Sequence, residues 1–286
     1  VNAGPRAWPA PAKLNLMLHI VGRRADGYHE LQTVFQLIDL CDLLEITVRG
    51  DGRVVRTRGP ESIPEAQDLA VRAALALKTA TGTPLGAEIA VTKRIPMGGG
   101  LGGGSSDAAT TLVALNQMWQ TGLDSTQIAA IGARLGADVP VFVQGRSAWA
   151  EGVGEKLEPV ALVENSWFLV IFPGIHVPTA DVFQAPELTR NSPLTTMRGF
   201  LELGGRNDCE AVVRARFPAV GEALDWLARY APARLTGTGS CVFAKFARSE
   251  DAERVAARVP DAWRAWVVRG LNQSPLLEEL GRRSKS

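Results

Sequence analysis

Between Lys13 and Val21 apolar and polar positions alternate, with Leu14, Leu16, Leu18 and Ile20 on one side and Lys13, Asn15, Met17 and His19 on the other. Successive side chains leave opposite faces of a strand, so this alternation predicts a half-buried β-strand with Lys13 and Asn15 adjacent on one face. Arg23–Gly27 reads as a polar turn and Leu43–Val48 as a second strand. Asp68 stands ahead of an apolar-periodic stretch through Leu77, which predicts a helix capped by the Asp68 carboxylate. Glu88–Thr92 predicts a short strand. From Ser105 to about Trp119 the recurrence of Ala108, Leu112, Leu115 and Met118 is helical, and a further helix runs from Asp124 or Ser125 to Leu135, closed by Gly136.

The texture changes after about Gly154. Strands are expected at Trp167–Phe172, Ser240–Phe246 and Trp263–Val268, and helices at Asp208–Phe217, Val220–Tyr230 and Glu250–Val259. This mixed order predicts an α+β protein in two halves, residues 1–157 and 158–286, without internal repeats.

The chain has 286 residues, enough for one large domain or two ordinary ones. Hydrophobic residues at 46% and charged residues at 21% are ordinary for a soluble protein. A net charge of +1, with Lys and Arg spread along the chain, argues against nucleic acid as a partner. No apolar run approaches the roughly 20 residues of a membrane span. The opening residues 1–8 lack the charged-then-apolar pattern of a secretory leader. The three cysteines, Cys41, Cys209 and Cys241, match no zinc or disulfide spacing and read as reduced thiols of a cytoplasmic protein.

The chemistry concentrates at Pro96-Met97-Gly98-Gly99-Gly100-Leu101-Gly102-Gly103-Gly104-Ser105-Ser106, where six of seven consecutive residues are glycine and a helix follows. Without Cβ atoms a backbone can approach an oxyanion closely, and a helix N-terminus adds its dipole, so phosphate is the natural guest. Gly98, Gly100 and Gly103 formally satisfy the dinucleotide spacing, but Lys93–Met97 separates the strand from the glycines and no second strand follows the helix. The Gly-Lys-Ser/Thr of a P-loop is absent, since no lysine occurs between Lys93 and Lys156. A flexible hinge would not need paired serines at a helix start.

This loop resembles the phosphate loop of the GHMP kinases. The likeness extends to Pro11-Ala12-Lys13-Leu14-Asn15-Leu16, to Arg24–Thr33, to Gly136-Ala137-Asp138-Val139-Pro140-Val141-Phe142 and to Leu235–Phe243, in family order over almost the whole chain. It implies a two-domain fold, with an N-terminal α/β nucleotide-binding half and a ferredoxin-like C-terminal half. Within the superfamily, three glycines on each side of Leu101 resemble the branch acting on a cytidine diphosphate-linked methylerythritol. Transfer of the γ-phosphoryl group of ATP to its 2-hydroxyl, in non-mevalonate isoprenoid synthesis, is the implied reaction.

The resemblance implies roles residue by residue. Pro96 to Ser106, with Lys93 and Asp68, would hold ATP. Asp138 would take the hydroxyl proton, although Asp138-Val139-Pro140 also reads as a helix N-cap. Lys13 would orient the hydroxyl and stabilise developing negative charge, and Asn15 would bind the acceptor chain. Tyr28 and Phe183 would sandwich the cytosine ring, His29 would meet its edge and Thr179 would complete the pocket. Gly237, Thr238 and Gly239 would form a second glycine turn at the substrate phosphates. Mg²⁺ accompanies ATP in such chemistry, with its protein ligands unassigned beyond Ser105 or Ser106. Relatives of this kind usually carry Asn where Asp68 stands. An amide can donate to adenine as well as accept, so Asp68→Asn is expected to tighten ATP. A kinase for another alcohol, such as homoserine, leaves Tyr28-His29 unexplained, and a non-catalytic nucleotide-binding module would not need both Lys13 and Asp138.

Overall fold

The computed structural model describes residues 7–284; residues 1–6, which belong to the segment read above as no leader, lie outside them. Strands β1 (Trp8–Arg23) and β2 (His29–Arg49) form a long antiparallel hairpin across the expected polar turn. Arg24 N–H donates to Tyr28 O at 2.7 Å and Gly27 N–H to Arg24 O at 3.0 Å, which closes that turn. The strand expected at Lys13–Val21 is the middle of β1, and Leu43–Val48 lies within β2. The half-buried expectation does not hold, because Lys13, Asn15, Met17 and His19 are all buried as well. Trp8 and Ala10 pack with the helices of the N-terminal half, while Leu18 and Ile20 join a separate cluster with Leu169, Val212 and Leu224 of the C-terminal half. A strand sandwiched between two cores has no solvent face. Bulges after Pro11 and between Asn15 and Met17 bend it between them.

The N-terminal half continues with β3 (Val54–Arg58), a 3₁₀ turn at Glu65–Gln67, α1 (Leu69–Thr81), β4 (Gly86–Thr92), α2 (Gly103–Met118), α3 (Ser125–Ala133), α4 (Val139–Gln144), β5 (Ala148–Gly152) and β6 (Lys156–Pro159). β4 pairs antiparallel with the second part of β2, β3 runs parallel to β4, and β5 pairs with the first part of β2 and with β6. Helix α2 is the central pillar, with every residue from Ser106 to Leu115 buried. Ala70, Ala73 and Ala74 of α1 and Ala108 and Ala109 of α2 share one core with Leu77 and Leu112. Truncating Leu77 or Leu112 to Ala there would cost roughly 2–5 kcal/mol.

The C-terminal half comprises β7 (Trp167–Phe172), α5 (Thr179–Phe183), α6 (Met197–Leu203), α7 (Glu210–Arg216), α8 (Pro218–Ala228), β8 (Ala233–Leu235), β9 (Val242–Phe246), α9 (Ser249–Ala256), β10 (Arg264–Leu271) and α10 (Pro275–Arg283). Its antiparallel strand order β10-β7-β9-β8, with helical crossovers between β7 and β8 and between β9 and β10, is the ferredoxin-like arrangement. Two features tie the halves together. β10 pairs with β2 through Gly270 opposite Ile38 and Leu271 opposite Leu37. Helix α10 then returns to the N-terminal core, burying Leu276 in it and laying the Arg283 guanidinium over the Trp8 ring at 3.8 Å. Among the described residues no helix is long and apolar enough to cross a membrane, and all three cysteines are free thiols.

Candidate active site

The glycine loop joins β4 to α2 and is laced from both sides. Lys13 N–H of β1 donates to Leu101 O at 3.0 Å, and Cys241 N–H, just before β9, donates to Gly99 O at 3.0 Å. Gly100 has φ +75°, and a Cβ there would lie 2.2 Å from Thr236 O, so only glycine fits this crossing. Helix α2 starts at Gly103 without a side-chain cap. The first N–H groups of such a helix have no partner within it and face an anion readily. Ser105 borders the cleft below the loop, whereas the hydroxyl of Ser106 is buried without a hydrogen-bond partner.

Lys13 Nζ is the hub on the β1 side. It donates to Asn15 Oδ1 at 2.7 Å and to Gly100 O at 2.8 Å, and lies 3.4 Å from Asp138 Oδ2. Asn15 is fixed in turn, its Nδ2 donating to Thr33 Oγ1 at 2.9 Å and its N–H to Thr236 Oγ1 at 3.0 Å. Asp138 occupies the N-cap position of α4, yet its carboxylate caps no N–H of that helix. The carboxylate instead faces the ammonium and is one-third exposed to the cleft. All the residues singled out from sequence border this single cleft of about 970 Å³, except Ser106 and Gly239.

At the far end, the His29 ring stacks on Phe183 with centroids 5.2 Å apart and planes 24° apart. Tyr28 stands on the rim, 65% exposed. The aromatic pair formed in this cleft is thus His29–Phe183. Burial lowers the His29 pKa, and the Arg190 and Arg23 charges lower it further. Thr179 and Thr238 share a hydrogen bond of 3.0 Å that links α5 to the second glycine turn.

On the nucleotide side, Asp68 caps α1 through Ala70 N–H at 2.9 Å, and its other oxygen accepts from Arg56 Nη1 at 2.8 Å. Arg56 Nη2 also donates to Ile63 O at 2.9 Å. Lys93 is clamped between Asp42 and Asp107, with Asp107 Oδ2 at 2.6 Å. Burial alone would lower the Lys93 pKa, but the two carboxylates hold it above the ordinary lysine value. Burial raises the Asp107 pKa, which the Lys93 charge only partly offsets.

The chain that carries this glycine loop and lysine–aspartate pair is similar to known kinases. The model for the GHMP kinases N terminal domain matches residues 68–146, and that for the GHMP kinases C terminal matches residues 187–265. The 4-diphosphocytidyl-2-C-methyl-D-erythritol kinase of Alkalilimnicola ehrlichii is 56% identical over 275 residues, covering 96% of this chain and 94% of the relative. The protein of the same name from Halorhodospira halophila is 55% identical over 271 residues, 94% of each chain. The chain belongs to the 4-diphosphocytidyl-2-C-methyl-D-erythritol kinase family of the GHMP kinases. A crystal structure of 4-(cytidine 5'-diphospho)-2C-methyl-D-erythritol kinase superimposes with a TM-score of 0.82 at 36% identity, over 93% of this chain and 99% of that one. A mevalonate kinase structure, with a TM-score of 0.71 at 17% identity, shares the fold. This kinase uses ATP, as its family does.

Four residues that hold the cleft residues or their loops in place escaped the sequence reading. Asp42, Arg56, Asn207 and Arg190 each act across the chain: Asp42 on Lys93, Arg56 on Asp68, Asn207 on the carbonyls of Leu235 and Gly237, and Arg190 on His29. Asn207 stands in Asn207-Asp208-Cys209, a polar cluster just ahead of α7, and that was the one local signal available.

Proposed function

We propose that this kinase transfers the γ-phosphoryl group of ATP to the 2-hydroxyl of 4-diphosphocytidyl-2-C-methyl-D-erythritol, in the cytoplasm, as a step of non-mevalonate isoprenoid synthesis. The observation that carries the reading is the continuity of one cleft. It runs from the glycine loop, past Lys13 and Asp138, to the His29–Phe183 stack and Tyr28. In this reading the loop N–H groups hold the phosphates, and the acceptor hydroxyl lies beside Asp138. As the hydroxyl oxygen bonds to the γ-phosphorus, its proton passes to Asp138, the bond to the ADP oxygen breaks, and Lys13 stabilises the developing charge. Asn15 keeps the ammonium aimed, and the linked Thr179 and Thr238 steady the substrate side. The free thiols suit a reducing compartment.

Mg²⁺ would be held at the start of α2 by Asp107 Oδ1, which is without a partner and belongs to a residue bordering the cleft, a hard donor of the kind the ion takes. When bound, the ion neutralises charge on the β- and γ-phosphates. We further read residues 1–157 and 158–286 as the two functional halves, with β6 straddling the boundary. The deciding experiment is ADP release by the purified kinase, coupled to a spectrophotometric readout, with the cytidyl alcohol beside homoserine and mevalonate. Turnover of homoserine or mevalonate in preference to the cytidyl alcohol would overturn the substrate assignment.

A further inference from the structure

Arg190 lies on the loop between α5 and α6, outside every motif that carried the family resemblance. Its Nε donates to His29 Nε2 at 3.0 Å. Three more of its N–H groups donate to main-chain carbonyls, those of Phe183 at 3.0 Å, Ala185 at 2.7 Å and Leu188 at 3.1 Å. The guanidinium therefore stitches the turn that carries Phe183 and grips the imidazole stacked on it. A guanidinium has only donors, so the nitrogen it meets must offer a lone pair. In a neutral imidazole the single proton is then on Nδ1. That nitrogen has no protein partner among the described residues, and His29 borders the cleft.

We propose that Arg190 is a positioning residue for base recognition: by occupying His29 Nε2 it fixes the Nδ1–H tautomer, which makes the imidazole a dedicated donor toward the substrate base. The ring edge turned toward it must carry an acceptor, as cytosine does at O2 and N3. Burial and the charges of Arg190 and Arg23 keep the ring neutral, which leaves it a single proton to place. The inference rests on the reading of this end of the cleft as the base pocket, and its test separates the two.

The chain has three histidines, so nitrogen-15 imidazole spectra of the full-length kinase are readily assigned. The expected result is a protonated Nδ1 and a bare Nε2 for His29 in the unliganded protein. In Arg190→Met the Nε2–H form appears, and KM for the cytidyl substrate rises about tenfold, the size of one positioned hydrogen bond, while KM for ATP holds. Arg190→Lys can still donate to Nε2 but cannot tie three carbonyls, so it restores the tautomer and most of the KM. If Arg190 served only the Phe183–Leu188 turn, Lys would be as damaged as Met, and His29 would keep one tautomer throughout. That result, or a native Nε2–H, overturns the proposal. The spectra need no substrate, so a wrong substrate assignment would silence the kinetic arm and leave the tautomer arm to decide.

Discussion

Exchanging one oxygen of Asp68 for an NH₂ group separates two ways of reading the nucleotide pocket. Considered without its neighbours, Asp68→Asn adds a donor beside adenine and tightens ATP. In the structure both carboxylate oxygens are engaged, Oδ1 by Ala70 N–H at 2.9 Å and Oδ2 by Arg56 Nη1 at 2.8 Å. An amide can keep one of these bonds only by turning its NH₂ toward the other donor. Both Asp68 and Arg56 are largely shielded from water, so the lost bond is not replaced by hydration. A charged hydrogen bond in such a place contributes about 1.5–3 kcal/mol. The lower end is favoured because Arg56 keeps Ile63 O. For a chain of this size that corresponds to a fall in Tm of roughly 2–5 °C. The Pro60–Gln67 segment rests partly on Arg56 and borders the cleft, so ATP binding should weaken slightly or hold. Calorimetry on the wild type and Asp68→Asn gives Tm and the ATP Kd together. An unchanged Tm with several-fold tighter ATP would refute this reasoning and make residue 68 an adenine contact first.

Asp138→Asn should lower kcat by roughly 10²–10⁴-fold, the range for loss of a general base, with ATP binding retained; near-normal turnover would reduce Asp138 to a structural residue of α4. Phe183→Ala should raise KM for the cytidyl substrate by about ten- to a hundredfold, from a base–aromatic stack of about 1–3 kcal/mol, and leave KM for ATP unmoved. His19 is buried with neither ring nitrogen bonded, and burial chiefly lowers its pKa, Asp208 opposing and Arg206 reinforcing the shift. Below about pH 6.5 the unfolded chain takes up a proton that the folded chain resists, so His19 erodes stability as pH falls. His19→Phe should therefore raise Tm more at pH 5 than at pH 8, and equal gains at the two pH values would contradict that sign. Burial pushes the Cys209 thiol up to about 12, so at pH 8 an aromatic disulfide reagent should label it only at the rate of global unfolding, and rapid labelling of native protein would count against that.

Much of the site was legible because its parts are local. The glycines with their following helix, the adjacent Lys13 and Asn15, and the Asp68 cap each occupy a few consecutive residues, where periodicity and capping rules operate. The cap of α1 and the strand Trp167–Phe172 appear where the pattern placed them. Asp138 was ambiguous in sequence because a cap and a base look alike there, and a carboxylate that turns from the helix N–H groups to Lys13 is visible only in three dimensions. The partners of the site residues were hidden for the opposite reason. Arg190 reaches His29 over 161 positions and Asp42 reaches Lys93 over 51, and no period in a single chain encodes such pairings. The buried polar face of β1 was misread because alternation reports chemistry, and water is only one of the things a polar row can face.

The return of α10 to the N-terminal core has a consequence for how the molecule is made. Trp8 opens β1, and the helix that lays Arg283 over its ring comes last of the described elements, so it leaves the ribosome after all the others. Between those events β2 still lacks the neighbour that Gly270 and Leu271 supply. The nucleotide half therefore spends most of translation with an open edge and an uncovered apolar face, the surfaces that attract chaperones and other nascent chains. A polypeptide cut just after Leu271 would carry every residue named here for the reaction and still leave the core around Trp8 unsealed.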